Sequence, residues 1–421
     1  MISTARNERV RVAITGIGLV TPLGIGTQTV WEALLAGRSG IRRVTQFDAS
    51  GLPCQIAGEV QAYQTDDHFP AKEVRRLSRA AQLALVAARE AAADADLHQA
   101  APDRERLGVY FGTAIGGLER ADEALQVLRG QGYLRVNPFA VPASLPNMPA
   151  FHVTREFSAL GPNCTITTAC ATGTQTVGEA ADAIRAGRAD VILAGGTEGL
   201  IRDFALAGFA AMRALPVSFN DDPARASRPF DARREGFVFS EGAACLVLER
   251  LDHARARGAR MYAEVAGYAS SSDAYHMAAP DPTAAGAIRT MAWALRDAGL
   301  APERVDYINA HGTSTPANDA VETLAIKRLF GERAYHVPIS STKSMIGHPM
   351  GAAGAIEAAV CALSLHHQIL HPTINYEEPD PECDLDYVPN QARTAQVHLT
   401  LSNSFGLGGQ NACLVLTRPE A

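Results

Sequence analysis

Short apolar runs that are rich in β-branched residues and bounded by glycine recur along the chain. They occupy residues 10–15, 108–113, 191–194, 245–249, 305–310 and 412–417. A sheet that is covered on both sides is apolar on both faces, so continuous runs of this kind predict buried strands. The first run extends to Val20 and follows Arg9 and Arg11, which gives it a faint likeness to a secretory signal. Its β-branched residues, its glycines and the stop at Thr21-Pro22 favour a first buried strand instead.

Apolar residues at three- and four-residue steps lie between these runs and predict amphipathic helices. One stripe consists of Val74, Leu77, Ala81, Leu85 and Ala88. A second stripe consists of Ile288, Met291 and Leu295. Gly299 follows the second stripe and is the expected C-cap of that helix. Strands that alternate with helices indicate an α/β architecture.

Two turns of small residues each precede an alanine-rich helical segment, one in each half of the chain. The first turn spans residues 168–173 and the second spans residues 347–354. This similarity between the halves is weak evidence of duplication by itself. The polar stretch 251–259 lies between the halves and predicts two domains, 1–255 and 256–421. Because no low-complexity linker separates them, we expect the halves to pack tightly.

The amino-acid composition argues against several classes of protein. The chain has 421 residues, of which 47% are hydrophobic, enough apolar side chain to exclude disorder as the main state. The net charge of −7 (38 Lys and Arg against 45 Asp and Glu) argues against a nucleic acid as the main partner. No apolar run reaches about 18 residues, so no membrane span is expected. The seven cysteines form no Cys-x-x-Cys pair, which argues against a zinc cluster and favours a reducing, cytoplasmic compartment.

Cys170 is the first residue with possible chemistry. It follows a strand-like segment and a sharp turn, and a helical segment follows it. At a helix N-terminus, free N–H groups and the helix dipole lower the pKa of a thiol, which predicts a nucleophilic thiolate. The alternative is that Cys170 is only a small buried hydrophobic residue, and this segment alone does not decide between the two.

Two further strand patterns end in polar loops. The run 305–310 delivers His311 into a loop of glycine and hydroxyl residues, where α/β proteins often place working side chains. The motif at residues 340–348 contains Lys343 and His348 and precedes a Gly/Ala helix that carries Glu357. A buried lysine requires a carboxylate partner, and Glu357 is the candidate. The alternatives are a satisfied core histidine at position 311 and a solvated lysine at position 343.

A fourth segment, residues 402–409, is a glycine-dense turn after a strand. Its backbone N–H groups could converge on one point, as in an oxyanion hole or a phosphate-binding loop. The chain lacks the Gly-x-x-x-x-Gly-Lys-Ser/Thr motif, so nucleotide binding has no support.

Taken in order, these motifs resemble those of the β-ketoacyl-acyl-carrier-protein synthases, in particular the elongating Cys-His-His class of type II fatty acid synthesis. The motifs that carry the resemblance lie at residues 168–170, 309–316, 341–348, 351–354 and 403–409. The resemblance extends from about residue 11 to residue 416. It implies a thiolase-like fold, in which two αβαβα halves form five α-β-α-β-α layers, usually as a homodimer.

The resemblance also implies a role for individual residues. Cys170 corresponds to the acyl-accepting nucleophile, His311 and His348 to the pair that assists malonyl decarboxylation, and Lys343 and Glu357 to their supporting ion pair. The N–H groups of Cys170 and Leu407 are expected to form an oxyanion hole, and Thr313 and Thr315 are expected to bind pantetheine. The expected acyl pocket contains Ile115, Phe405 and Leu407. The residues expected to dock the carrier protein are Lys72, Arg75, Arg76 and Arg213.

The implied reaction condenses an acyl group on Cys170 with malonyl-acyl-carrier-protein and yields 3-oxoacyl-acyl-carrier-protein and CO₂. Two neutral imidazoles would donate hydrogen bonds to the enolate oxygen. The resemblance implies neither a metal nor a redox cofactor, because substrates arrive on the phosphopantetheine arm of the carrier protein. Acyl carrier protein is therefore the expected partner, with no nucleic acid and no membrane.

The chain departs from the family pattern at a few positions. The nucleophile motif continues with Ala171, and the last glycine turn has Leu407 where a second Phe is usual, followed by Gln410. Pro349 follows the second histidine. Leu407 puts the gating of the acyl pocket in question.

Two alternatives therefore stay open. The first is a ketosynthase subunit of a specialised polyketide or polyene pathway, possibly paired with a chain-length factor in a heterodimer. The second is a non-catalytic chain-length subunit, which the presence of Cys170 disfavours.

Overall fold

The computed structural model describes residues 9–100 and 102–420. One large mixed sheet and two small two-stranded sheets run through it. Numbered in chain order, the strands are β1 (Val12–Thr21), β2 (Gly24–Ile25), β3 (Arg42–Arg43), β4 (Ile56–Ala57), β5 (Leu107–Gly112), β6 (Asn163–Cys164), β7 (Val191–Glu198), β8 (Gly242–Arg250), β9 (Ala263–Ser272), β10 (Tyr307–Asn309), β11 (Ile339–Ser340), β12 (Ile369–Leu370), β13 (Arg393–Thr394), β14 (Leu399–Gly406) and β15 (Gln410–Thr417).

The large sheet consists of two sets of strands with the same pairing pattern. The first set has the order β6-β5-β7-β8-β1 and the second the order β11-β10-β14-β15-β9. In each set the first two pairings are parallel and the last two are antiparallel. A short antiparallel pairing of β1 with β9 joins the sets. This repeated topology is the duplication that the two small-residue turns indicated only weakly.

Helices separate and cover the two sets of strands. They are α1 (Thr27–Leu35), α2 (Thr65–His68), α3 (Ala71–Val74), α4 (Arg79–Asp94), α5 (Leu97–Ala100), α6 (Leu118–Gln131), α7 (Ala140–Ser144), α8 (Met148–Phe157), α9 (Thr172–Arg185), α10 (Asp203–Ala211), α11 (Leu251–Ala256), α12 (Ala285–Ala298), α13 (Pro316–Phe330), α14 (Lys343–Ile346) and α15 (Ala353–His367).

The contacts of these helices define five layers. Helices α9 and α15 contact each other and strands of both sets, so they form the middle layer. Helices α4 and α8 cover the outer face of the first set, and α12, with α13 against it, covers that of the second. The order is helices, strands, helices, strands, helices, which confirms the predicted thiolase-like α/β architecture.

Glycine allows the two middle helices to approach closely. A Cβ atom on Gly173 would lie 2.4 Å from the backbone nitrogen of Ala355, and one on Gly354 would lie 2.4 Å from that of Thr174. Residues 353–365 of α15 are all buried, because alanine and glycine let this helix fit between two sheets. The contact brings the start of α9, just after Cys170, next to the start of α15.

All six predicted strands are present, with shifted ends. The helix predicted from Val74 is partly wrong. Val74 ends α3, and α4 begins only at Arg79, because Ser78 caps it by accepting a hydrogen bond from the Ala81 N–H at 3.2 Å. Gly299 does cap α12, in the left-handed conformation at a φ of 68°.

Residues 251–259, expected to separate the halves, include the short helix α11, with Leu251 and Ala254 buried. The domain boundary after residue 255 stays a prediction. In residues 9–100 and 102–420, no helix is long and apolar enough to cross a membrane.

Candidate active site

Cys170 lies in a single 3₁₀ turn, Ala169–Ala171, that leads directly into α9. The residue before it, Ala169, has a φ of +49°, a left-handed conformation that a residue with a Cβ adopts only at a cost. The Thr168 N–H donates to Thr172 Oγ1 at 2.8 Å and closes this turn. The strained turn presents the sulfur of Cys170 to a mainly apolar cavity of about 400 Å³.

His311 enters the same cavity from the other half of the molecule. It follows the end of β10, and Glu322 on α13 holds its backbone. The N–H groups of His311 and Gly312 donate to the two carboxylate oxygens of Glu322 at 2.9 and 2.8 Å, and Asn403 Nδ2 donates to the same carboxylate at 3.2 Å. Glu322 therefore positions the loop that carries the imidazole.

His348 completes the group. Its N–H donates to the carbonyl of Val238 at 2.7 Å, and the edge of the Phe237 ring lies against its imidazole. The Cys170 sulfur and a ring nitrogen of each of His311 and His348 all lie within 4.8 Å of one another. The two imidazoles stand nearly perpendicular, with ring centroids 5.4 Å apart. One thiol and two imidazoles, all buried, thus meet at one end of the cavity.

Lys343 lies beside this group and is fully buried. Its ammonium donates to Glu357 on α15, so the expected pair is in contact. Burial raises the pKa of Glu357 to about 7, and the positive charge of Lys343 opposes this increase.

The two histidines are neutral at physiological pH. Burial holds the pKa of both His311 and His348 well below 6.5, and the charge of Lys343 lowers both further. In the described residues, Nδ1 of His311 and both ring nitrogens of His348 have no hydrogen-bond partner in the protein. These nitrogens are therefore buried and unpaired, and a ring nitrogen of each histidine lies within 4.8 Å of the Cys170 sulfur.

The electrostatics of Cys170 correct the sequence-based expectation of a lowered pKa. Burial raises the pKa of its thiol to about 11 and outweighs the lowering by the Leu407 N–H, the Lys343 ammonium and its own N–H. The carboxylate of Glu198 raises it further. Proximity to a helix N-terminus predicted a thiolate, but removal from water has the larger effect on a 5% exposed thiol. The resting nucleophile is a neutral thiol.

The residues predicted to bind pantetheine or to form the acyl pocket are all near the site, but not all of them line the cavity. Thr313, Thr315, Phe405 and Leu407 line the cavity, and the two threonine hydroxyls lie 2.9 Å apart. Ile115 packs into the apolar cluster that contains Cys170 but does not line the cavity.

Of the four predicted docking residues, only Arg213 lines the cavity. Lys72 belongs to α3, Arg75 and Arg76 follow it, and all three are exposed. Their role in docking stays a prediction.

Sequence reasoning missed two buried carboxylates that shape the site. One is Glu322, described above. The other is Glu198 at the end of β7, which accepts from Thr113 Oγ1 and the Ala114 N–H at 3.0 Å and from the Gly351 N–H at 3.2 Å. Burial raises the pKa of both carboxyl groups to about 7. A charged residue at the end of a predicted buried strand was the available signal for Glu198, and a glutamate among the apolar residues of α13 was the signal for Glu322.

Comparison with known families matches the chain in two segments. Residues 9–254 match the β-ketoacyl synthase N-terminal domain, and residues 262–377 match the β-ketoacyl synthase C-terminal domain. A 3-oxoacyl-[acyl-carrier-protein] synthase 2 from Coxiella burnetii is 47% identical over 411 residues, which cover 98% of this chain and 99% of that protein.

Two solved structures are also similar. The first is a type II polyketide synthase acyl carrier protein in complex with its ketosynthase, with a TM-score of 0.91 and 36% identity. The second is the ishigamide ketosynthase/chain length factor, with a TM-score of 0.91 and 37% identity. Each match covers 98% of this chain and 100% of the matched chain.

Proposed function

The chain belongs to the β-ketoacyl synthase family, and we propose that Cys170, His311 and His348 carry out its reaction, the elongating condensation of type II fatty acid synthesis. The observation that carries this assignment is the meeting of one thiol and two neutral imidazoles within 4.8 Å at the end of a cavity. The chemistry follows from the protonation state of each group.

The first step is acyl transfer to Cys170. Because its pKa is about 11, the thiol must lose its proton as it attacks. A ring nitrogen of neutral His348, which lies within 4.8 Å of Sγ, accepts that proton while Sγ bonds to the acyl carbon. The bond from that carbon to the pantetheine sulfur breaks, and the proton passes to the departing pantetheine thiol. The N–H groups of Cys170 and Leu407 lower the pKa of the thiol, so they lie near Sγ, where they stabilise the negative oxygen of the tetrahedral intermediate.

The second step generates the carbon nucleophile. The malonyl thioester loses CO₂, and the electron pair of the broken C–C bond becomes an enolate. Neutral His311 and His348 donate N–H hydrogen bonds to the enolate oxygen, because a neutral imidazole has one donor nitrogen. The enolate carbon then bonds to the acyl carbon on Cys170. The C–S bond breaks, and the released Cys170 thiolate takes up one proton from solvent, which is the proton that decarboxylation of a carboxylate consumes. Burial keeps both imidazoles neutral by lowering the pKa of each, and the positive charge of Lys343 adds to this effect.

The shape of the cavity supports delivery of substrate on a flexible arm. Thr313 and Thr315 line the cavity with their hydroxyls 2.9 Å apart, and these hydroxyls are the proposed partners of the amides of a pantetheine chain. Arg213 lies in its wall with an exposed side chain, as a docking site for an acidic carrier protein requires. The acyl carrier protein is the proposed donor of both substrates. The seven free cysteines favour the cytoplasm as the compartment.

We propose that two copies associate through a surface formed by residues 118–164. Large apolar side chains are exposed there on α6, α7, α8 and the segments between and after them, and strand β6 pairs on one edge only, with β5. The exposed residues are Leu118, Leu125, Leu128, Tyr133, Leu134, Val141, Leu145, Phe151 and Leu160. Many exposed large apolar side chains in one stretch of chain, together with an open strand edge, are typical of an interface.

The oligomeric state separates a homodimer from pairing with a chain-length factor. A homodimer of the purified chain would appear in sedimentation as twice 44.6 kDa. A monomer that associates only with a chain-length factor would favour the polyketide alternative. Leu407, which lines the cavity in place of an aromatic residue, is the observation in favour of that alternative.

The direct test of the function uses purified protein and two carrier-protein substrates. Incubation with acyl-acyl-carrier-protein is expected to add the acyl mass to Cys170, and malonyl-acyl-carrier-protein is then expected to yield the 3-oxoacyl product and CO₂. Cys170→Ala should abolish both mass gain and product. Cysteine and histidine are also ligands that Zn²⁺ prefers, so the assay is run with and without a chelator. A label on Cys164, or activity lost to the chelator, would contradict the mechanism.

A further inference from the structure

His371 lies outside the cavity, yet it contacts the strand that leads to His311 and the strand that leads to Lys343. Strand β10 ends two residues before His311, and β11 ends three residues before Lys343. The two strands pair in parallel, with Asn309 opposite Ser340. His371 is 0% exposed and comes just after the small strand β12. Its imidazole packs against the ends of both strands.

The contacts of His371 converge on one ring nitrogen. Nε2 lies 3.0 Å from Thr342 Oγ1 and 3.3 Å from both Ser340 Oγ and the Tyr307 hydroxyl. Asn309 Nδ2 lies 3.4 Å away. These four polar groups come from the two strands and the residue that links β11 to Lys343. A single imidazole therefore contacts both segments.

The hydrogen bonds around His371 run in one direction. Nδ1 lies 2.9 Å from the carbonyl oxygen of Pro372, which can only accept, so Nδ1 carries the proton. Burial lowers the pKa of His371 to about 4, so the ring is neutral and Nε2 is an acceptor. Nε2 accepts from the Thr342 hydroxyl, and Thr342 Oγ1 in turn accepts from Asn309 Nδ2 at 3.0 Å. Loss of the imidazole would leave the Thr342 hydroxyl without its shortest buried acceptor contact to this ring.

We propose that His371 is a positioning residue for the decarboxylation half of the reaction. It holds Asn309 and Thr342, and through them it sets the separation between His311, which lines the cavity, and the buried Lys343 behind it. This inference rests on the proposed roles of His311 and Lys343.

The position of Cys170 does not depend on this chain of hydrogen bonds. Cys170 belongs to the other half of the molecule, where the bond from Thr168 to Thr172 and helix α9 hold its turn. A displacement of His311 or Lys343 by about 1 Å lowers the rate of a step that requires both residues by up to about 100-fold. Loss of His371 should therefore lower the rate of decarboxylation but not the rate of acylation. A general loss of stability would lower both rates.

His152 provides a matched control. It is also a buried histidine, at 4% exposed, and burial lowers its pKa to about 4 as well. It lies on α8 rather than at β10 or β11, and among the described residues neither of its ring nitrogens has a partner. His152→Phe thus removes a buried imidazole without touching the chain of hydrogen bonds from Pro372 to Asn309.

The experiment compares His371→Leu, His371→Gln and His152→Phe with the unchanged enzyme. Acylation of Cys170 is followed by intact mass, and malonyl decarboxylation by release of labelled CO₂. We expect His371→Leu to lower kcat of decarboxylation about 10- to 100-fold, with KM for the malonyl substrate and the acylation rate within about twofold. His371→Gln should recover most of the loss, because its amide oxygen can accept from Thr342. His152→Phe should leave the ratio of the two rates unchanged, because His152 lies on α8, within the surface proposed for association, and not at β10 or β11.

Three outcomes would overturn the proposal. They are an equal loss of acylation and decarboxylation in His371→Leu, full activity in that variant, or no recovery in His371→Gln. Failure of the unchanged enzyme to condense the substrates would instead refute the proposed function. The two failures are therefore distinguishable.

Discussion

The protonation state of Cys170 can be tested through the pH dependence of its alkylation. Iodoacetamide reacts with the thiolate, so the rate follows the thiolate fraction. With a pKa of about 11, about 0.1% of the thiol is ionised at pH 8. An ordinary cysteine with a pKa of about 8.5 is about one-quarter ionised at that pH. The structure therefore predicts alkylation about 200-fold slower at pH 8 than for an equally accessible ordinary thiol.

The rate of alkylation should rise about tenfold per pH unit from pH 7 to pH 10, without a plateau. Peptide mapping assigns the label to Cys170, and Cys170→Ala supplies the background from the half-buried Cys164. Two charge variants have opposite expected signs. Lys343→Met removes a charge that lowers the pKa of the thiol and should slow alkylation. Glu198→Gln removes a charge that raises that pKa and should accelerate it above pH 7.

A plateau at or below pH 8 would refute this reasoning. It would mean that the helix N-terminus stabilises the thiolate more than burial disfavours it, as the sequence alone suggested. The same sign in both charge variants would also contradict it, because the charges of Lys343 and Glu198 act in opposite directions. The pH profile of alkylation therefore shows whether the helix N-terminus or burial has the larger effect on the pKa of Cys170.

Three further predictions concern the other parts of the site. His311→Ala should lower malonyl decarboxylation about 10²–10³-fold, the cost of one lost oxyanion donor, and should spare acyl transfer to Cys170; equal loss in both assays would contradict its assignment. Replacing Arg75 and Arg76 with Glu should slow association with the carrier protein and leave turnover of a small pantetheine thioester nearly unchanged, as measured by stopped-flow binding and steady-state kinetics. Leu407→Phe should reduce acylation by branched or rigid thioesters more than by acetyl- or butyryl-sized ones, and an unchanged rate ratio across that series would mean that the leucine is a neutral packing substitution.

The fold was largely predictable from the sequence, because its main signals are local. The six buried strands follow from continuous apolar runs, and the helices from three- and four-residue periodicity. The start of α4 was mispredicted, because the apolar stripe passes through Val74 and Leu77 while Ser78 offers a cap. Periodicity reports which residues are apolar, and capping reports where the helix begins.

The sequence by itself also determined which residue types carry the chemistry. A cysteine before a small-residue helix and two histidines in glycine-rich loops identify the nucleophile and its partners at the level of motifs. It did not determine their ionisation. The pKa of Cys170 depends on removal from water, on Lys343 and on Glu198, which are brought together only by the contact between α9 and α15.

Only the tertiary structure decided how the catalytic loops are held. Glu322 lies eleven residues after His311 and supports its backbone, and His371 lies sixty residues after it and contacts the ends of two strands. The glutamate among the apolar residues of α13 hinted at Glu322, but no local pattern marks His371, since a buried polar side chain is stable only where distant groups satisfy its hydrogen bonds. The partners of His371 become neighbours when β10 and β11 pair side by side, and this pairing is a property of the folded sheet rather than of any segment of the chain.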